Sequence, residues 1–221
     1  MTTLTTAPCA PLLDRLFAEA DASRPEALPI FAQTSPEERD RLMHSKTDWQ
    51  RLYGALKDVP LPVSRETGRL LYMLARSTGA RAIVEFGTSF GLSTLHLAAA
   101  LRDNGGGHLV TSEFEPGKIA RASAHLAEAG LADLVEIRAG DALETLAGNL
   151  PHTVDLLLLD GAKALYGDVL ALVEPHLRPG ALIVADNADY CPEYLARVRA
   201  HDRGYVSVPF AEDVEVSMRL G

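Results

Sequence analysis

From Arg81 onward, short runs rich in Val, Ile and Leu alternate with amphipathic stretches, and this alternation constrains the fold more than any other feature. AIVEF, HLVTSE, LVEIR, VDLLLLD and ALIVAD are nearly continuous in apolar residues, which implies strands buried on both faces of a mostly parallel sheet. The stretches 91–101, 116–129, 141–147 and 163–176 then read as crossover helices, with the right-handed connection that parallel neighbours require. The ending differs. GYVSVPF and DVEVSMRL alternate with period two across a short turn, predicting an antiparallel strand that closes one edge. The expected architecture is an α/β, doubly wound, mostly parallel sheet with an antiparallel edge strand and extra N-terminal helices.

Those extra helices come from residues 1–60, which lie outside the alternating pattern and are predicted to cover a main domain of residues 61–221. Leu12, Leu13, Leu16 and Phe17 share one helical face, and 39–56 reads as a second, polar-faced helix carrying Trp49. The segment suits either a packed cover or a lid or dimer arm over a substrate. A third helix follows Pro60 and Pro62, capped by Ser64 with Glu66 in its first turn.

Charge and composition narrow the class of partner. With 30 acidic against 21 basic residues the net charge is −9, which disfavours nucleic acid and anionic membranes. The first residues contain no basic segment followed by an apolar run, and no later run approaches a membrane span, so a soluble, cytoplasmic protein is expected. Cys9 and Cys191 match no metal-binding spacing and read as reduced thiols.

In doubly wound sheets, ligands bind beyond the carboxyl ends of the strands. Polar residues stand at each such end here: Glu85 with the loop Gly87-Thr88-Ser89-Phe90-Gly91, then Glu113, Asp141, Asp160 and Asp186-Asn187. Folding requires none of them, and carboxylates crowded on one rim repel unless cations or hydroxyl-rich ligands meet them. Gly87 and Gly91 let the backbone approach a ligand, and Ser93 opens the following helix, whose N–H groups accept anionic ligand atoms. The Gly-x-x-x-Gly spacing, with an acid at position 85, lacks the pattern that a pyrophosphate needs and argues against a nicotinamide-dependent oxidoreductase. Glu113 is placed for the two hydroxyls of a ribose. Asp141 suits either an adenine amino group or the N-cap of the next helix. A nucleoside with a charged amino-acid tail and no phosphates is S-adenosylmethionine.

VEFGTSFGLS, the acid in TSEFEP, and AGDA, which contributes Asp141 and Ala142, resemble the cofactor motifs of class I methyltransferases over about 62–187. Farther along, Asp160, Asp186 and Asn187 bring two carboxylates and an amide oxygen to neighbouring strand ends, a set of hard donors suited to Mg²⁺ or a similar ion; an Asx-turn is the alternative for the Asp-Asn pair. This second half resembles the cation-dependent O-methyltransferases, the catechol and caffeoyl-CoA family. The resemblance implies Asp160, Asp186 and Asn187 as metal ligands, Lys163 as base, Val63 near the methionine end of the cofactor, a small catechol-like acceptor, and a homodimer to which the helix of Trp49 could contribute. The family's Asp-Ala-Asp-Lys reads Asp160-Gly161-Ala162-Lys163 here, so the second acid is missing. A metal-independent O- or N-methyltransferase of the same fold remains the alternative. A base at Lys163 requires burial or a nearby cation to depress its pKa.

Overall fold

The computed structural model describes residues 2–211 and 213–221. Its centre is a seven-stranded sheet of order β3-β2-β1-β4-β5-β7-β6. The strands are β1 (Ala82–Phe86), β2 (His108–Glu113), β3 (Val135–Ala139), β4 (Val154–Leu159), β5 (Leu177–Ala185), β6 (Tyr205–Phe210) and β7 (Val214–Arg219). The first five are parallel, β7 pairs antiparallel with β5, and β6 pairs antiparallel with β7. This is the expected doubly wound sheet with its antiparallel edge.

Continuous apolar strands feed two cores because alternate side chains leave opposite faces. Ile83, Leu156, Leu158 and Val184 pack on one side, beneath α1 (Cys9–Asp21), and Val84, Phe86, Leu157, Leu159 and Ile183 on the other. Leu12, Leu13, Leu16 and Phe17 of α1 are all buried there, as their shared face predicts.

The N-terminal segment departs from the expectation of one helix over 39–56. It forms α2 (Pro29–Gln33), α3 (Pro36–Met43) and α4 (Trp49–Ala55). Ser35 caps α3 by accepting from the Glu38 N–H, with Pro36 at the first helical position. After Met43, the Ser45 hydroxyl accepts from the Asp48 N–H at 2.9 Å and diverts the backbone into a turn. The three helices share a small core of Ile30, Leu42, Leu52 and Leu56. Trp49 is buried, its ring 5.0 Å edge-on from Phe114 within this chain.

The remaining helices are α5 (Arg65–Ser77), capped by Ser64 as expected, α6 (Leu92–Asp103), α7 (Pro116–Glu128), α8 (Ala142–Thr145), α9 (Tyr166–Val173) and α10 (Pro192–Arg199). Two crossovers are shorter than predicted. α8 is a single turn, and 163–176 divides into α9 and flanking 3-10 turns, the second containing Pro175. Strand β5 begins earlier than ALIVAD, at Leu177. Cys9 and Cys191 are both unpaired and buried. Among the described residues no helix is long and apolar enough to cross a membrane.

The order reverses between β1 and β4, and the ladder there continues one residue past the strands. Asp160 N–H donates to Phe86 O at 2.8 Å, and Asp186 N–H donates to Leu159 O at 2.9 Å. Gly87, with φ of 99°, passes this point so closely that a Cβ would lie 2.4 Å from Asp160 O. Both the backbone conformation and the contact demand glycine. Gly87→Ala should therefore lose about 2–4 kcal/mol of stability through combined strain and overpacking. A urea midpoint equal to that of the wild type would refute the close approach.

Candidate active site

Two cavities open at this switch point. The first is bounded by Gly87 and Ser89 of the glycine loop, Glu113, Gly140 and Ala142, Asp160 to Ala162, and Trp49 and Tyr53 from the cover. The second lies between the cover and the sheet rim and is lined by Asp160, Gly161, Lys163, Asp186 and Asn187 together with residues of α2 to α4. Asp160, Gly161, Tyr53 and Leu61 line both. One ligand in each cavity would meet across that shared wall.

The first cavity is held by backbone donors. Glu113 accepts from Ser89 N–H at 2.9 Å on one oxygen, and from Phe114 N–H at 2.9 Å and Glu115 N–H at 3.0 Å on the other. A carboxylate has about four acceptor positions, so this clamp leaves about one for a ligand hydroxyl rather than two free oxygens. Ser89 reaches its position with φ of 47°, and its hydroxyl accepts from Leu61 N–H at 3.3 Å. The glycine loop is thus tied to the segment leaving the cover.

Several residues expected at the cofactor stand behind this wall. Glu85 is fully buried, accepting from Ser93 Oγ at 2.6 Å and Thr94 Oγ1 at 2.7 Å. It and Ser93 brace the start of α6 from beneath. Thr88 is buried against the Thr111 hydroxyl at 2.6 Å, and Gly91, with φ of 87°, caps α6 against Ala122. Asp141 takes the capping role, accepting from Leu143 N–H at 2.8 Å, while its neighbours Gly140 and Ala142 line the cavity. Val63 lies in the core, and the cavities meet Leu61 and Pro62 instead.

Sequence reasoning missed Lys118, Tyr53 and Tyr166. Lys118 on α7 is buried and lines the first cavity; burial pulls its ammonium below the usual lysine range against the opposing charges of Glu113, Asp160 and Glu115. Its place three residues after Glu115, the N-cap of α7, was the available signal. Tyr53 gave none, since the Lys163 N–H it accepts from lies far along the chain, whereas Tyr166 stands three residues after Lys163 and was open to a local reading.

The rim between the cavities carries the strongest electrostatics. Lys163 Nζ donates to Asp160 Oδ1 at 3.2 Å, Tyr166 OH at 2.8 Å and Asp186 O at 3.3 Å, which uses all three of its protons. Tyr166 OH in turn donates to Asp186 O at 2.7 Å. Burial works against the Lys163 charge, but Asp160, Tyr53 and Asp186 outweigh it and raise the pKa. That direction is opposite to the depressed pKa on which the base assignment depended. Burial, reinforced by the Asp160 charge, pushes Asp186 up to about 7, and burial raises Asp160 as well despite Lys163 and Lys118.

Asp160, Asp186 and Asn187 share the second cavity. Asn187 adopts φ of 51°, and its Nδ2 donates to Asp213 Oδ2 at 3.1 Å, which turns the amide nitrogen toward Asp213 and frees the amide oxygen as a donor to a cation. Two crowded carboxyls and that oxygen fit a hard divalent ion by chemistry. Among the described residues no group of three or more His, Cys, Asp or Glu side chains is arranged to hold a metal.

Glu85 supplies a test of the buried scaffold. Burial pushes its carboxyl from 4.5 up to about 7, with the hydroxyls of Ser93, Thr94 and Thr111 opposing and Asp160 adding to the rise. The folded state then binds the proton more tightly than the unfolded state, so this contribution is complete below pH 4.5 and is lost as pH rises through 7. Glu85→Gln removes the titration. The stability difference between wild type and variant, followed by urea unfolding, should change by on the order of 3 kcal/mol across that window. A pH-independent difference would refute the perturbed carboxyl.

A family model described as a methyltransferase domain matches residues 84–188. Catechol O-methyltransferase of Niastella koreensis is 36% identical over 130 residues, covering 58% of this chain and 58% of that protein. Catechol O-methyltransferase of Mycobacterium tuberculosis is 35% identical over 127 residues, covering 58% of this chain and 57% of that protein. The matched part thus spans a little over half the length of these curated relatives. Among solved structures, the O-methyltransferase TomG of Streptomyces achromogenes, involved in tomaymycin synthesis and crystallised with S-adenosylmethionine, superposes with a TM-score of 0.64 at 26% identity, covering 87% of this chain and 94% of that one.

Proposed function

We propose that this chain, which belongs to the class I methyltransferases, is an S-adenosylmethionine-dependent O-methyltransferase acting on a catechol-like vicinal diol. The observation that carries the reading is the wall common to both cavities: Asp160, Gly161, Tyr53 and Leu61. S-adenosylmethionine takes the first cavity, with a ribose hydroxyl on the free acceptor position of Glu113 and the adenine near Ala142. The acceptor takes the second. Its oxygen forms a bond to the methyl carbon as the carbon–sulfur bond breaks, the electron pair stays on sulfur, and S-adenosylhomocysteine departs. Of residues 1–60, α2 to α4 serve as the cover that excludes water from this meeting point, while α1 packs against the sheet core.

Lys163 presents an ammonium at the acceptor's oxygen. Held by Asp160, Tyr166 and the Asp186 carbonyl, its positive charge stabilises the ionised oxygen behind the methyl group through the field rather than through a further hydrogen bond. Asp160, Asp186 and Asn187 would hold Mg²⁺ or a like ion. When bound, such an ion lowers the pKa of a coordinated hydroxyl and takes up the carboxylate charge that otherwise raises the pKa of Lys163. With that charge engaged, Lys163 would lose one proton to solvent and stand as the neutral amine, and its Nζ would then accept the proton of the attacking hydroxyl.

The Asp160–Lys163 pair also favours a metal-independent reading, because it already balances one carboxylate. Catechol methylation followed after dialysis against EDTA separates the two. Activity lost on dialysis and restored by Mg²⁺ supports the ion; full activity in EDTA assigns charge stabilisation to Lys163 alone, and no methylation under either condition overturns the catechol reading.

Two substitutions test the assigned groups. Lys163→Ala should lower kcat about 10²- to 10⁴-fold, the usual contribution of a positioned proton-transfer group, with little change in S-adenosylhomocysteine affinity. Steady-state kinetics that match the wild type would remove Lys163 from the reaction. Glu113→Gln should weaken S-adenosylhomocysteine binding by about 1.5–3 kcal/mol in calorimetric titration, the scale of a lost hydrogen bond to a charged group; unchanged affinity would place the ribose elsewhere.

A further inference from the structure

The reaction uses the rim wall of the second cavity and leaves the opposite wall unexplained. That wall belongs to the cover: Phe31, Arg39, Met43, Leu52 and Leu56. Its apolar members suit an aromatic ring. Arg39 does not, unless it meets something.

Arg39 is half-buried on α3, and its guanidinium lies 5.1 Å from the centroid of the Phe31 ring. Its Nη1 donates to Thr34 O at 2.5 Å and to Phe31 O at 3.3 Å, which anchors the group at the C-terminal end of α2. Among the described residues Nε and Nη2 have no hydrogen-bond acceptor, and no carboxylate lies within ion-pairing distance of Arg39. A fixed, stacked, partly desolvated guanidinium with donors to spare is suited to a planar anion.

We infer that Arg39 is a specificity-determining residue that binds a carboxylate arm on the acceptor, so that the preferred substrates are catechols bearing an anionic substituent. This rests on the assignment of the second cavity to a catechol acceptor. The reaction needs the diol at the rim of Asp160 and Lys163, while Arg39 attracts the carboxylate from the opposite wall, in the cover. The two ends of the cavity thereby orient the acceptor with its diol toward Lys163 and its charged arm toward α3. The apolar side chains between them hold the ring.

The test compares 3,4-dihydroxycinnamate with neutral 4-methylcatechol on wild type, Arg39→Gln and Arg39→Lys. The wild type should prefer the carboxylate. Arg39→Gln should raise KM for 3,4-dihydroxycinnamate about tenfold or more and leave KM for 4-methylcatechol within about twofold, with Arg39→Lys between, as expected for loss of a charge-assisted pair worth a factor of ten per 1.4 kcal/mol. Equal effects on both acceptors would make Arg39 a prop for α2, and no effect on either would remove it from the cavity; each overturns the inference while methylation of 4-methylcatechol upholds the reaction. Should neither compound be methylated, calorimetric titration of the same pair decides. Binding of the carboxylate alone, abolished in Arg39→Gln, supports the role of Arg39 though the reaction is misassigned, and equal or absent binding of the two overturns it.

Discussion

The rim depends on a parallel ladder that does not stop where its strands do. The hydrogen bonds from Asp160 N–H to Phe86 O and from Asp186 N–H to Leu159 O carry the β1-β4-β5 register one residue farther, so that Gly87, Asp160 and Asp186 occupy adjoining rungs. Strand spacing of about 4.8 Å then brings two carboxylates close without any specific attraction between them. Burial between cover and sheet does the rest, raising the pKa of both. Lys163 is the compensation within the protein, and a divalent ion is the compensation the donor set invites. The same rung demands glycine at 87, because a side chain there would collide with the Asp160 carbonyl.

Electrostatic strain of this kind is tolerable because its surroundings are stiff. Lys163 is fixed through Asp160, Tyr166 and the Asp186 carbonyl, and its own carbonyl accepts from Cys191 Sγ at 3.3 Å. Tyr166 packs edge-on against Phe86 and Tyr194, with centroids 6.3 and 6.0 Å away. These contacts join β1, β4, β5, α9 and α10 around one ammonium. A buried pair gains little net stability over an apolar substitute, yet a cluster so over-determined holds its geometry, and geometry is what methyl transfer needs.

How far the sequence could be read follows from how local each signal is. The apolar runs located β1 to β5 because a strand buried on both faces leaves a mark in its own residues, and AIVEF and HLVTSE match β1 and β2 residue for residue, while the period-two ending marked the antiparallel edge that β7 and β6 form. The acids at the strand ends were visible for the same reason. Their division of labour was not. Glu85 and Glu113 look alike in sequence, but Glu85 points into the core toward Ser93 and Thr94, whereas Glu113 faces the cavity under three backbone donors. Asp141 satisfied a helix N-terminus before any ligand. The direction of the Lys163 shift needed the positions of Tyr53 and Asp186, and both come from elements far away in the chain. Likewise the polar run from 39 to 56 concealed a break that a single serine hydroxyl imposes.

The cover cannot be a body in its own right. Its own core holds four buried side chains, Ile30, Leu42, Leu52 and Leu56, with a few partly buried neighbours, too little apolar surface to order α2 to α4 alone. Four side chains do not offset three helices. The balance comes from the sheet domain, through Trp49 against Phe114 and through the packing of Tyr53 beside Lys163. Under the proposed function, reaction chemistry sits on the rigid rim, and acceptor choice on a segment that holds its shape only by leaning on that rim. Substitutions in α2 to α4 can change which ring and which charge are admitted without moving Asp160, Lys163 or Asp186, since the ladder that positions those three never enters the cover.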